Sequence, residues 1–319
     1  MQRGLPQKRR IPGVDKVVLV SSAKGGVGKS TVAANIAAAA ATGLHIKKTA
    51  AAAASVTASS GDSAHVLHRP LRVGLLDLDL FGPSVPKLLR LEQQHPVGEE
   101  GAGPRLSPQN QLIPLTNYGI KSMSMGYLLP GTGSPIAWRG LMVMKAVQQL
   151  LWEVDWSPGV DLLVVDMPPG TGDVQLSVGQ QVVVDGAVVI TTPQDVALVD
   201  AVKGVNMFRK MDIPILGLVV NMASFVCSNC HVVHNIFGKS TQKVNNECSH
   251  LGINVLGEVP LEKALCRDAD DGCPTVIRDP EGAVGRCVGG VVRKLVLELW
   301  GGTGEDGGRR GEEEEEGKG

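Results

Sequence analysis

Residues 17–41 read VVLVSSAKGGVGKSTVAANIAAAAA, and this stretch decides the architecture. The apolar, β-branched run Val17–Ser22 predicts a strand. It enters a glycine-rich turn, and an alanine-rich helical pattern begins at Lys29. Strand, glycine turn, Lys-Ser/Thr and helix, in that order, are the parts of a phosphate-binding loop. Gly25, Gly26 and Gly28, with Val27 among them, allow successive backbone N–H groups to point at phosphate oxygens. Lys29 supplies a point charge for the β- and γ-phosphates of ATP, and Ser30, followed by Thr31, offers a hydroxyl to Mg²⁺. The general pattern places Gly five positions before Gly28, where this chain has Ala23. A dinucleotide fingerprint fits less well, because Thr31 stands where a third Gly or Ala is needed.

Outward from this loop, strands are expected at Val73–Leu78, Leu162–Asp166, Ala187–Thr191, Ile215–Asn221 and Asn254–Val259. Helical patterns alternate with them near Lys29–Ala41, Leu141–Val154, Gln175–Val184, Leu198–Met211, Ser240–Leu251 and Ala283–Trp300. The alternation predicts an α/β fold, a doubly wound, mainly parallel sheet with helices on both faces. Ligands of such sheets bind beyond the carboxyl ends of the strands. That rule selects LLDLDL, which ends one strand with Asp77 and Asp79. It also selects LLVVDMPPGTGD, which ends another with Asp166 and leads to Asp173. One acid in such a place can hold Mg²⁺ through water, and a second can orient the attacking water. Asp166 takes the metal role here and Asp79 the water, with Asp77 the second candidate for either.

A single nucleotide-binding domain is expected over residues 15–300. Residues 1–14 form a basic N-terminal extension, and 43–70, with an alanine run and a Ser/Thr cluster, reads as a flexible insertion. Residues 92–110 read as a further loop, and 301–319, containing consecutive Glu312–Glu316, as a disordered acidic tail. The 31 basic and 32 acidic residues nearly cancel, leaving −1, so charge supplies no argument for a nucleic-acid surface. Aromatics at 3% argue against a base-stacking surface as well. No apolar run reaches the roughly 18 residues of a membrane span, so membrane association is at most peripheral.

Cys227 and Cys230 are the closely spaced pair among the six cysteines, in VCSNCHVVH after the strand ending at Asn221. Two thiolates so spaced can share a metal, but a stable site wants four ligands. His231 and His234 could complete a zinc site within one chain. The same letters spell a haem attachment pattern, and unligated thiols are a further reading. Alternatively, two chains contribute one pair each, giving four cysteines around a [4Fe–4S] cluster. Cys248, Cys266, Cys273 and Cys287 have no ligand-like spacing.

Several phrases together resemble the Mrp/ApbC group of iron–sulfur carrier P-loop ATPases. They are KGGVGKST (24–31), LLDLDLFGPSVPKLL (75–89), WRGLMVMKA (138–146), DLLVVDMPPGTGDVQLSV (161–178), TTPQDVALVDAVKG (191–204) and the cysteine pair after VVNM (219–222). RGLP (3–6), SMGYLLP (124–130) and VDW (154–156) resemble the mitochondrial branch of that group. The likeness runs over roughly Arg3–Leu299, apart from 43–70 and part of 92–110. It implies a weakly ATP-hydrolysing homodimer that delivers a labile [4Fe–4S] cluster to apo-proteins, among them subunits of respiratory complex I, in the mitochondrial matrix. Lys24, heading the loop, is similar to the lysine of the deviant Walker A class typified by MinD, ParA and the nitrogenase iron protein. In that class the lysine crosses to the partner's nucleotide, and Asn221 matches its adenine-contacting asparagine. The same class also implies two rival functions, a spatial switch on membrane or DNA and an electron-transfer ATPase that keeps its cluster. Met1–Arg10 is basic but lacks the length of an amphipathic transit helix, so matrix placement is implied by the resemblance alone.

Overall fold

The computed structural model describes residues 7–46, 68–80, 82–92, 104–128, 140–227, 229–230, 232–237 and 240–301. Most of the 43–70 insertion, part of the 92–110 loop, residues 1–6 of the extension, His231 and the tail beyond Gly301 lie outside them.

Strand β1 (Val14–Ser21) occupies the middle of the sheet, as its fully buried run VVLVS requires. Parallel neighbours β5 (Val160–Asp166) and β6 (Gly186–Thr191) flank it. Beyond β5 lies β2 (Val73–Asp77), then β4 (Ile120–Ser124) and the antiparallel β3 (Leu115–Asn117). On the other side β6 pairs with β7 (Ile215–Val226), which also carries β9 (Val255–Leu261) and the short antiparallel β8 (Val233–His234). The sheet is therefore doubly wound and mainly parallel, with nine strands among the described residues.

Helix α1 (Lys29–Ala41) starts at the phosphate loop and is buried almost throughout. Alanine suits it, because a small side chain lets the helix lie close to its neighbours. Helix α2 (Val85–Leu88) follows the loop after β2, and α3 (Gly140–Trp152), α4 (Asp173–Gln181) and α5 (Asp195–Lys210) come next. The last ones are α6 (Ser240–Leu251), α7 (Lys263–Asp270), α8 (Thr275–Arg278) and α9 (Ala283–Trp300). Helix α9 buries Val284, Val288, Val291, Val292, Leu295, Val296 and Trp300 against β9 and α1. Its apolar stripe is thus turned largely towards the core. No helix of the described residues is long and apolar enough to cross a membrane.

Several features depart from the sequence reading, among them the unforeseen helices α2, α7 and α8 and strand β8. The hairpin β3–β4 was not expected. Its strands are short, and it turns at Tyr118 and Gly119, whose φ angles of 52° and 75° give the left-handed two-residue turn such hairpins favour. Strand β7 does not end at Asn221 but continues to Val226, because Met222 takes a left-handed φ of 56° and the chain resumes pairing at Phe225.

Candidate functional site

The phosphate loop joins β1 to α1 at the carboxyl edge of the sheet. Gly26 and Gly28 adopt φ angles of 80° and 81°, a region that side chains disfavour, and Gly28 caps the helix. The helix therefore presents its first N–H groups and the positive end of its dipole towards the loop, an arrangement that favours phosphate. Ser22 braces the turn by donating from its hydroxyl to the Lys24 carbonyl at 3.0 Å.

Lys29 is buried, with 6% of its surface exposed. Its ammonium pairs with the Asp166 carboxylate, lies 3.1 Å from Ser30 Oγ and reaches to 3.9 Å from Asp79 Oδ2. Asp166 ends β5 and is wholly buried, which raises its pKa, while the Lys29 charge opposes that rise. Its second oxygen, Oδ2, is buried without a hydrogen-bond partner. Ser30 and Asp166 are both hard oxygen donors, so the residues present fit Mg²⁺.

Asp77 behaves differently from Asp79. It lies directly across from Asp166 in the β2–β5 register and is fully buried. It accepts from the Asp79 N–H at 2.9 Å, the Ser124 hydroxyl at 2.9 Å and the Val85 N–H at 3.4 Å. Asp77 thus builds the loop after β2, and that loop carries the Asp79 side chain to Lys29. Burial, reinforced by the Asp166 charge, pushes its carboxyl up to about 7 from the ordinary 3.8, against the pull of Asp79 N–H and Ser124. The folded state therefore holds a proton there that the unfolded chain has already released above pH 4. Stability should fall as pH rises from about 4 to about 7 and level off above. Asp77→Asn should flatten that fall, measured as the difference in urea midpoint between pH 5 and pH 7.5. An undiminished difference in the variant would count against this role.

Sequence alone did not single out Ser124 or Gln175. Gln175 is buried in α4 and closes the Pro/Gly loop after Asp166. Its Oε1 accepts from Gly172 N–H at 3.0 Å, and its Nε2 donates to the carbonyls of Pro168 and Gly170 at 2.7 and 3.0 Å. Asp173 is exposed at the start of the same helix. Lys24 is exposed as well, on the rim of a cleft of about 520 Å³ lined also by Gln194, Asp195, Phe237 and Lys243. Asn221 lies under the loop, donating from Nδ2 to the Val27 carbonyl at 2.9 Å, while its Oδ1 is buried without a partner. A buried, unused acceptor is compatible with the amino group of an adenine.

The cysteine pair sits at the tip of the β7–β8 hairpin. Phe225 and Val226 pair with His234 and Val233, and the Cys227 N–H donates to the Val232 carbonyl at 3.0 Å. Val232, Val233 and Ile236 are exposed around it. The Cys227 thiol is shifted down by the backbone N–H groups of Cys230 and Asn229, then by the Cys230 thiol, with Lys263 adding a smaller attraction. No group of three or more His, Cys, Asp or Glu able to hold a metal occurs among the described residues.

A strand-loop-helix phosphate cradle, a buried lysine and acids at the ends of β2 and β5 of a parallel sheet define a P-loop NTPase. The family profile described as "ParA: NUBPL iron-transfer P-loop NTPase" matches residues 55–296. The mouse protein named "Iron-sulfur cluster transfer protein NUBPL" is 46% identical over 280 residues, covering 88% of this chain and 76% of that one. An Arabidopsis thaliana protein, "Iron-sulfur protein required for NADH dehydrogenase, mitochondrial", is 39% identical over 93% of this chain and 82% of its own length. The solved nucleotide-binding protein of Archaeoglobus fulgidus, in complex with ADP, superposes with a TM-score of 0.62 at 30% identity, covering 83% of this chain and 90% of that one. The chain belongs to the NUBPL family of iron-transfer P-loop NTPases.

Proposed function

We propose that this protein is an ATP-dependent carrier that receives a [4Fe–4S] cluster and hands it to apo-proteins. One observation carries the reading. The strand that presents Cys227 and Cys230 also touches the phosphate loop through Asn221, joining a nucleotide site to a thiol pair. The relatives' names, which speak of iron–sulfur cluster transfer and of mitochondrial NADH dehydrogenase, support this cargo and a mitochondrial setting, and the matrix is the compartment this reading assigns.

Each residue has a task in this reading. The backbone N–H groups of residues 23–31 cradle the phosphates, and the Lys29 ammonium turns from Asp166 towards the β- and γ-oxygens. Ser30 and Asp166 would hold Mg²⁺, which would supply charge to draw electron density from the phosphates. Asp79 orients the attacking water, kept in place by the loop that Asp77 organises. One chain offers two closely spaced thiols where a cubane cluster wants four, so a homodimer completes the cluster site. Dimerisation also gives Lys24 a neighbouring nucleotide to stabilise.

The decisive experiment is transfer. Reconstituted protein mixed with an apo-acceptor should lose its cluster to the acceptor. Retention of the cluster with electron passage to the acceptor would instead favour an electron-transfer ATPase. The trans role of Lys24 has its own test. Lys24→Ala and Asp79→Asn chains should each hydrolyse ATP poorly, yet recover activity when mixed. In a mixed dimer, the chain with intact Asp79 receives an intact Lys24 from its partner. Without recovery at concentrations where mixed dimers form, the trans assignment fails.

A further inference from the structure

We propose that Asn221 is a positioning residue that ties the phosphate loop to the cysteine hairpin, so that nucleotide bound at one is felt at the other. The inference rests on the nucleotide reading above and adds the route between the two sites.

The amide of Asn221 is wedged beneath the loop. Only 2% of the residue is exposed, and its Nδ2 donates to the Val27 carbonyl at 2.9 Å. A Cβ added at Gly28 would come within 2.3 Å of that nitrogen, so glycine is what lets the amide in. The contact matters because Val27 C=O and Gly28 N–H share one planar trans peptide and point in opposite directions. Holding the carbonyl downwards on Asn221 turns the Gly28 N–H the other way. A phosphate that pulls on this N–H tilts the same peptide plane that Asn221 grips from below.

From Asn221 the path to the thiols is short and continuous. Cys227 lies six residues further along the same chain segment, a reach of no more than ~20 Å. Asn221 pairs with Val259 and Phe225 with Leu261, so residues 222–224 stand opposite Pro260 alone, and Met222 there is left-handed. This bulge bends the strand out of the parallel sheet. Beyond it Phe225 pairs with His234 and Cys227 with Val232, so a shift at Asn221 reaches the hairpin through backbone hydrogen bonds. Linkage makes the effect reciprocal, and a ligand held by the thiols should alter nucleotide affinity by the same factor.

Hydrogen exchange on the full chain, with and without saturating Mg-ADP, tests this without iron or an acceptor. In the parent protein, nucleotide should slow exchange in residues 23–31 and change it about 5-fold or more in residues 222–236. In Asn221→Ala, with Mg-ADP raised until the loop response saturates so that any loss of affinity is offset, the loop should respond and the hairpin should not. An equal hairpin response in the variant, or a parent hairpin that is silent while its loop responds, overturns the proposal. A parent in which neither segment responds refutes the nucleotide reading itself. Should Asn221→Ala not fold, Met222→Gly serves, since glycine takes the left-handed angle freely and loosens the segment between clamp and hairpin. The loop should then respond fully and the hairpin less; an undiminished hairpin response overturns the route.

Discussion

Lys29→Ala should abolish ATP hydrolysis and destabilise the fold in the same stroke. The loss of activity follows from position. Among the P-loop residues Lys29 is the buried cation, and the described residues offer β- and γ-phosphate charge no other buried lysine or arginine. The loss of stability has a separate cause. Asp166 is wholly buried and pairs with this ammonium, so truncation leaves an uncompensated charge, an effect worth about 3–5 kcal/mol. The two effects can be told apart by pH. Without Lys29 the Asp166 carboxyl, already raised by burial, is held neutral over a wider range, and keeping it ionised becomes costly. The stability deficit of Lys29→Ala should therefore be larger at pH 8 than at pH 5, whereas hydrolysis should be absent at both. Urea denaturation and a phosphate-release assay at the two pH values measure this. Hydrolysis retained at parental level would remove the basis of the nucleotide assignment.

Replacing either cysteine of the hairpin should empty the cluster site. After anaerobic reconstitution with iron and sulfide, the parent should hold about four iron atoms per dimer, and Cys227→Ser or Cys230→Ser none. Both thiols lie at the exposed tip of a hairpin, and Cys227 is only half-buried, so neither change should disturb the core or nucleotide binding. Metal counting with Mössbauer spectroscopy reads the result. Stoichiometric zinc per monomer, insensitive to disruption of the dimer, would favour a site built within one chain.

Much of this molecule is legible in the chain itself. The boundaries of α6 and α9 follow from apolar periodicity, that of α1 from its alanine run, and all three from the glycines around them, Gly28, Gly252, Gly282 and Gly301, all of which are local signals. The buried strands announce themselves as β-branched runs, and the phosphate loop by glycine spacing that only its backbone geometry requires. Shorter elements escaped. The strands β3 and β4 hold three and five residues, too few for an alternation to stand out. The end of β7 was misplaced because nothing in NMASFV signals that Met222 turns left-handed and lets pairing resume.

The roles of the acids belong to another level. Asp77 and Asp79 are two residues apart in LLDLDL and chemically identical, so the chain alone could only leave both in contention. The register between β2 and β5 separates them. It sets Asp77 beside Asp166, where Ser124 and the Asp79 amide engage it, and leaves the Asp79 carboxylate facing Lys29. Asn221 is the same case, since its grip on Val27 spans 194 residues of sequence. Glycine spacing and hydrophobic period act through the nearest few residues, and these determined the fold class and the phosphate loop. Which oxygen meets which nitrogen depends on strands brought together from distant parts of the chain, and only the tertiary structure decided it.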